Sequence, residues 1–86
     1  MGLIKRARRR GLLRNVAVAL GNWGAPDAVP TLSIALSGEE PLVRGHAAWA
    51  LGRIGTEAAR QALRGREDVE GNAWVREEVE AALAES

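Results

Sequence analysis

The chain contains no cysteine, phenylalanine or tyrosine and only one histidine, and these gaps remove several kinds of chemistry. Without cysteine there is no disulfide framework, thiolate nucleophile, Cys-ligated zinc site or iron–sulfur cluster held in the usual way. One His among scattered carboxylates does not make a zinc-type ligand cluster, and no Gly-rich strand-to-helix motif is there to cradle phosphates. With three Trp as the only aromatics, the core must come from Leu, Val, Ala and Ile on helices that approach closely. No apolar run reaches membrane-spanning length, and the basic start lacks the apolar stretch and small-residue cleavage site of a secretory signal. These gaps predict a cytoplasmic, non-enzymatic helical protein with neither cofactor nor metal.

What is present is a repeat. Gly21-Asn22-Trp23-Gly24 returns 31 residues later as Gly52-Arg53-Ile54-Gly55, and Val43-Arg44 through Ala50-Leu51 returns 32 residues later as Val75-Arg76 through Ala82-Leu83. A period near 30 with helical content describes stacked helix pairs. Such units offer smooth helical faces rather than closed pockets, so the expected role is to hold a partner. The 86 residues suffice for one small domain, burying roughly 60 to 65% of its unfolded surface. A net charge of +1 conceals a strong polarity. Lys5, Arg6, Arg8, Arg9, Arg10 and Arg14 all precede the first acid, Asp27, whereas Glu67, Asp68, Glu70, Glu77, Glu78, Glu80 and Glu85 crowd the other end.

Apolar spacing places the elements. Leu13, Val16, Ala17 and Leu20 form one stripe of a helix from about Arg9 to Leu20, stopped by Gly21 and Gly24. Pro26 opens a tight turn, and Pro30 starts a helix from about Val29 to Leu36 with Val29, Leu32, Ala35 and Leu36 inward. Pro41 starts the third helix, whose stripe is Val43, Ala47, Ala50, Leu51 and Ile54, with Gly52 and Gly55 near its end. Thr56 caps a shorter helix through Ala58, Ala59, Ala62 and Leu63. Gly65 to Gly71 reads as a charged connector, after which Asn72 caps a last helix with Val75, Val79, Ala82 and Leu83 inward. The prediction is an all-α, short α-solenoid of about five helices: a basic flank (1–10), a first unit (11–38), a second (39–66) and a half unit (67–86). An array without polar caps leaves at least one apolar flank for dimerisation or docking to cover.

Two segments, Val43 through Gly55 and Ala28-Val29-Pro30-Thr31-Leu32, resemble the short HEAT-like repeats also found in phycobilisome lyases. The run Ile4-Lys5-Arg6-Ala7 and then Arg10 through Asn22 looks like the start of the C-terminal HEAT-like domain of the epoxyqueuosine reductase family. Pro41 through Gly52 and Trp74-Val75-Arg76-Glu77-Glu78 continue that pattern in order. In that family, cobalamin-binding and ferredoxin-like domains reduce epoxyqueuosine in tRNA, and the C-terminal repeats help to grip the tRNA. The resemblance implies a detached tRNA-gripping module that does not catalyse alone and works with a catalytic partner domain or protein.

Two groups of residues are candidates for that grip. Lys5, Arg6, Arg8, Arg9, Arg10 and Arg14 can engage successive phosphates, with salt-dependent binding. No aromatic is interleaved among them, so backbone contact rather than base stacking is expected. In repeat register, Arg14, Asn15, Val18 and Asn22 align with Gly45, His46, Trp49 and Arg53. Stacking would put those residues side by side, Trp49 offering a flat surface to a base, His46 and Asn15 hydrogen bonds, and Gly45 close approach. The competing reading packs Trp49 and His46 under a neighbouring helix or loop. Arg44 and Arg76 are expected to pair structurally with a carboxylate or carbonyl, Trp23 and Trp74 to fill gaps between units, and the C-terminal acids to form a solvated face. The alternative function is a protein-interaction scaffold or a self-associating array.

Overall fold

A computed structural model describes Asn15, Ala19 and residues 26–85. The expected first helix lies outside the described residues apart from Asn15 and Ala19, both of which are helical and exposed. Trp23 lies outside them too. A 3-10 turn, Pro26–Ala28, leads into α1 (Val29–Leu36), α2 (Pro41–Ile54), α3 (Glu57–Glu67) and α4 (Ala73–Glu85), with no strand among the described residues.

Each boundary has a local cause. Pro30 sits in the first turn of α1, where a missing N–H is harmless, and the Ser37 N–H closes the helix on the carbonyls of Ala35 and Ile34. Pro41 opens α2 in the same way. Gly55 ends it in the left-handed region at φ 69°, its N–H reaching the Leu51 carbonyl at 3.0 Å. Thr56 Oγ1 accepts the Ala59 N–H at 3.2 Å at the start of α3, and Asn72 Oδ1 accepts the Val75 N–H at 3.1 Å at the start of α4.

The core joins Leu32 and Leu36 of α1, Ala47, Ala48, Ala50 and Leu51 of α2, Ala59 and Leu63 of α3, and Val75, Val79 and Ala82 of α4. Ala35, Ile54, Ala62 and Leu83 are only partly buried at its margin, and Ala58 is exposed. The central helix is α2, which packs against the other three and most extensively against α4. Gly45 lies under the Trp74 ring, and a Cβ on Gly52 would fall 2.7 Å from the Ala82 Cβ. Because Gly45 meets Trp74 and Gly52 meets Ala82, α2 and α4 run parallel, side by side. This is the stacking that equivalent helices of successive units require.

Two local expectations are corrected. Helix α3 continues through Gly65 and Arg66 to Glu67, so the connector spans only residues 68–72. A single interior Gly costs about 1 kcal/mol in helix propensity, too little to stop a helix whose turns are packed and capped. Glu70 is 4% exposed and does not belong to the acidic surface. Gly52 lies near the end of α2 as expected, and is buried there because α4 leaves no room for a side chain.

Candidate nucleic-acid interface

A buried ionic knot ties α2 to the loop before α4. Arg44 donates from Nε and Nη2 to the two oxygens of Glu70 at 2.8 and 2.9 Å, and from Nη1 to the carbonyls of Gly38 and Glu39 at 2.9 and 3.1 Å. Arg66 Nε and the Asn72 backbone N–H complete the Glu70 shell at 2.9 and 3.0 Å. Burial by itself would raise the Glu70 pKa. The hydrogen bonds from Arg44, Asn72 and Arg66, with the Arg44 charge, outweigh it and hold the group at about 2. The loop before α2 is thereby tied to the loop before α4, which sets how far α4 can slide along α2. Arg44 has the structural role expected of it. Its repeat equivalent Arg76 is exposed, with no ion-pair partner among the described residues.

One face of α2 and one of α4 border a shallow, open hollow of about 240 Å³ lined by Gly45, His46, Trp49, Trp74 and Glu78. The α2 members are one turn apart and so are Trp74 and Glu78, so each helix presents them on one side. The His46 ring folds back along its own helix, its Nδ1–H donating to the Leu42 carbonyl at 2.8 Å. Since a carbonyl only accepts, Nδ1 carries a proton, and in the neutral form of the ring Nε2 is the acceptor. Trp74 tilts 55° against His46 with ring centroids 5.8 Å apart. Trp49 packs partly on the core, and the Arg53 guanidinium stands 5.9 Å from its ring centre.

The structure therefore joins His46, Trp49 and Arg53 on one helical face, half-buried for the first two and exposed for Arg53. Packing and accessibility coexist there: both rings lean on neighbours, yet both border open space. Asn15 is exposed on helical backbone. Lys5, Arg6, Arg8, Arg9, Arg10 and Arg14 lie outside the described residues. Sequence reasoning missed Trp74 and Glu78 as members of this hollow. Trp74 packs between units, on Gly45 and against His46 of the preceding one, and also stands at the rim of the hollow, 39% exposed. The signal for Glu78 was in the repeat itself, since it lies 32 residues after His46 and occupies the same register.

Comparison with known proteins agrees with this architecture. The HEAT repeats family matches residues 2–84. Epoxyqueuosine reductase of Staphylococcus aureus is 36% identical over 63 residues, an alignment covering 72% of this chain and 17% of the reductase. A crystal structure of selenomethionine-labelled epoxyqueuosine reductase superposes with a TM-score of 0.78 at 30% identity, over 84% of this chain and 20% of that one. The chain thus spans about a fifth of the length of the relatives it matches. It belongs to the HEAT-repeat family, and its helices are similar to the HEAT-like segment of epoxyqueuosine reductase.

Proposed function

We propose that this chain is a non-catalytic module that binds the tRNA backbone through its basic N-terminal flank, with the faces of the adjoining helices taking part. The observation that carries the reading is the joint sequence and fold similarity to one short segment of a reductase whose substrate, epoxyqueuosine, is a tRNA nucleoside. Its physical support is charge placement. Six cations lie among residues 5–14, ahead of the array, whereas Glu77, Glu80 and Glu85 are exposed on α4 at the far end. A polyanion is drawn to one end and repelled from the other, which gives it an orientation as well as an affinity. Redox chemistry in this reading belongs to another domain or protein, since the cysteines that hold the family's clusters do not occur in this sequence.

Titrating labelled tRNA at several salt concentrations tests this, with the wild type compared to a variant carrying Arg8→Ala, Arg9→Ala, Arg10→Ala and Arg14→Ala. Each lost phosphate contact lowers the log–log salt slope by about 1, so the variant's slope should fall by as much as about 4. Affinity indifferent to all four substitutions would rule out the flank as the binding site. Failure of the wild type to bind at low salt would favour the protein-interaction scaffold instead.

A further inference from the structure

The hollow between α2 and α4 has a chemistry unlike that of the basic flank. Glu78 contributes a carboxylate that has no partner among the described residues, and His46, whose Nδ1 is committed to Leu42, turns only its Nε2 edge to a ligand, an acceptor when the ring is neutral. The Glu78 carboxylate repels phosphate. A ligand that offers hydrogen-bond donors is favoured by it, and the flanking indoles of Trp49 and Trp74 favour one that is flat and aromatic. The volume of about 240 Å³ lies below the roughly 300–1,000 Å³ that enclose a drug-sized molecule, and suits a single ring system. Trp74 is held ready for stacking, because its ring is seated on Gly45 and buttressed by His46.

We infer that the hollow takes one unstacked guanine base from a single-stranded stretch of RNA, stacked against Trp74 or Trp49 with its N1–H and amino group donating to the Glu78 carboxylate. Guanine is the base whose edge places two donors side by side, matching two carboxylate oxygens. Adenine and cytosine offer one amino donor next to an acceptor, and uracil offers one N–H between two carbonyls. Arg53, exposed and 5.9 Å from the Trp49 ring centre, supplies a cation to the phosphate of a nucleoside stacked on Trp49. The inference deepens the RNA-binding proposal and rests on it for the source of the base. It adds a division of labour in which the flank supplies sequence-blind affinity and the hollow discriminates among bases.

The experiment compares two oligomers of equal length and charge, oligouridine and the same oligomer with one central guanosine, by fluorescence anisotropy. The guanosine oligomer should bind about tenfold more tightly, the scale of one bidentate base contact. Glu78→Gln should bring the ratio close to one, whereas Glu77→Gln, which removes the same charge beside the hollow, should preserve the ratio and raise the oligouridine affinity by the same modest amount as Glu78→Gln. Equal binding of the two oligomers by the wild type, or a preference that survives Glu78→Gln, overturns the inference and leaves the flank proposal standing. Should no RNA bind even at low salt, free guanosine titrated against the three indole N–H resonances decides the matter separately. Shifts at Trp49 and Trp74 that vanish in Glu78→Gln would keep the base site although the tRNA reading fails, and their absence would remove both.

Discussion

At the scale of single residues, the two glycines of α2 that face α4 look alike and are held by different neighbours. A methyl on Gly52 would meet the Cβ of Ala82 at 2.7 Å and its Cα at 2.9 Å, and helix backbone cannot retreat without moving α4. Gly52→Ala should therefore destabilise the protein by about 1–2 kcal/mol, an overpacking cost reduced by the better helix propensity of Ala, as a urea midpoint would show. On Gly45 the obstacle is the far end of the Trp74 side chain, which can swing outward. Gly45→Ala should leave the midpoint nearly unchanged and displace the Trp74 indole resonance, with loss of the hollow. Glu70 stands at the other extreme, a buried carboxylate whose worth depends on its charge. Replacing it by Gln leaves Arg44 and Arg66 facing a neutral group and should cost about 3 kcal/mol or more. Its pKa in the folded state is depressed from 4.5 to about 2, so its contribution is in full force above pH 4.5 and is lost as the pH falls toward 2. Wild-type stability should decline across that window by up to roughly 3 kcal/mol more than that of Glu70→Gln, and parallel pH profiles for the two would contradict the role given to this carboxylate.

Among the elements, the caps and the connector decide where helices stop. Thr56 and Asn72 each satisfy a first-turn N–H from a side-chain oxygen, so Thr56→Ala and Asn72→Ala should each cost about 1 kcal/mol. Thr56→Ala should also increase hydrogen exchange in the first turn of α3, the helix that buries only Ala59 and Leu63. These starts were legible because a cap is a local device, readable from two or three neighbouring residues. The end of α3 was not. Gly65 and the charges after it resemble a loop by composition, yet Arg66 must remain helical to hold Glu70 four residues on, and that requirement comes from Arg44 in another helix.

For the whole molecule, the stacking of α2 beside α4 converts a sequence period into a surface with a gradient. Register places Arg14, Asn15, Val18 and Asn22 in one unit, Gly45, His46, Trp49 and Arg53 in the next, and Glu77, Glu78, Ala81 and Glu85 in the last. Among the described residues the face therefore passes from aromatic on α2 to acidic on α4, and in sequence order the cationic residues precede both. Removing acid at the far end should strengthen tRNA binding: Glu80→Gln together with Glu85→Gln is expected to raise affinity modestly at low salt, with the gain fading as ionic strength shortens the Debye length to about 8 Å near 0.15 M. No helix among the described residues is long and apolar enough to cross a membrane.

Local sequence by itself determined the helical class, the repeat, most helix starts and the apolar stripes, because propensity, capping and 3.6-residue periodicity act over a few neighbours. It also determined the polarity of charge, which is a property of order along the chain. Only tertiary structure decided that Glu70 is buried, that Gly52 is a packing residue, and that Trp74 and Glu78 share a hollow with His46 and Trp49. Each of these depends on how closely α4 lies along α2, a distance set jointly by two glycines, an alanine and an ionic knot that are far apart in sequence.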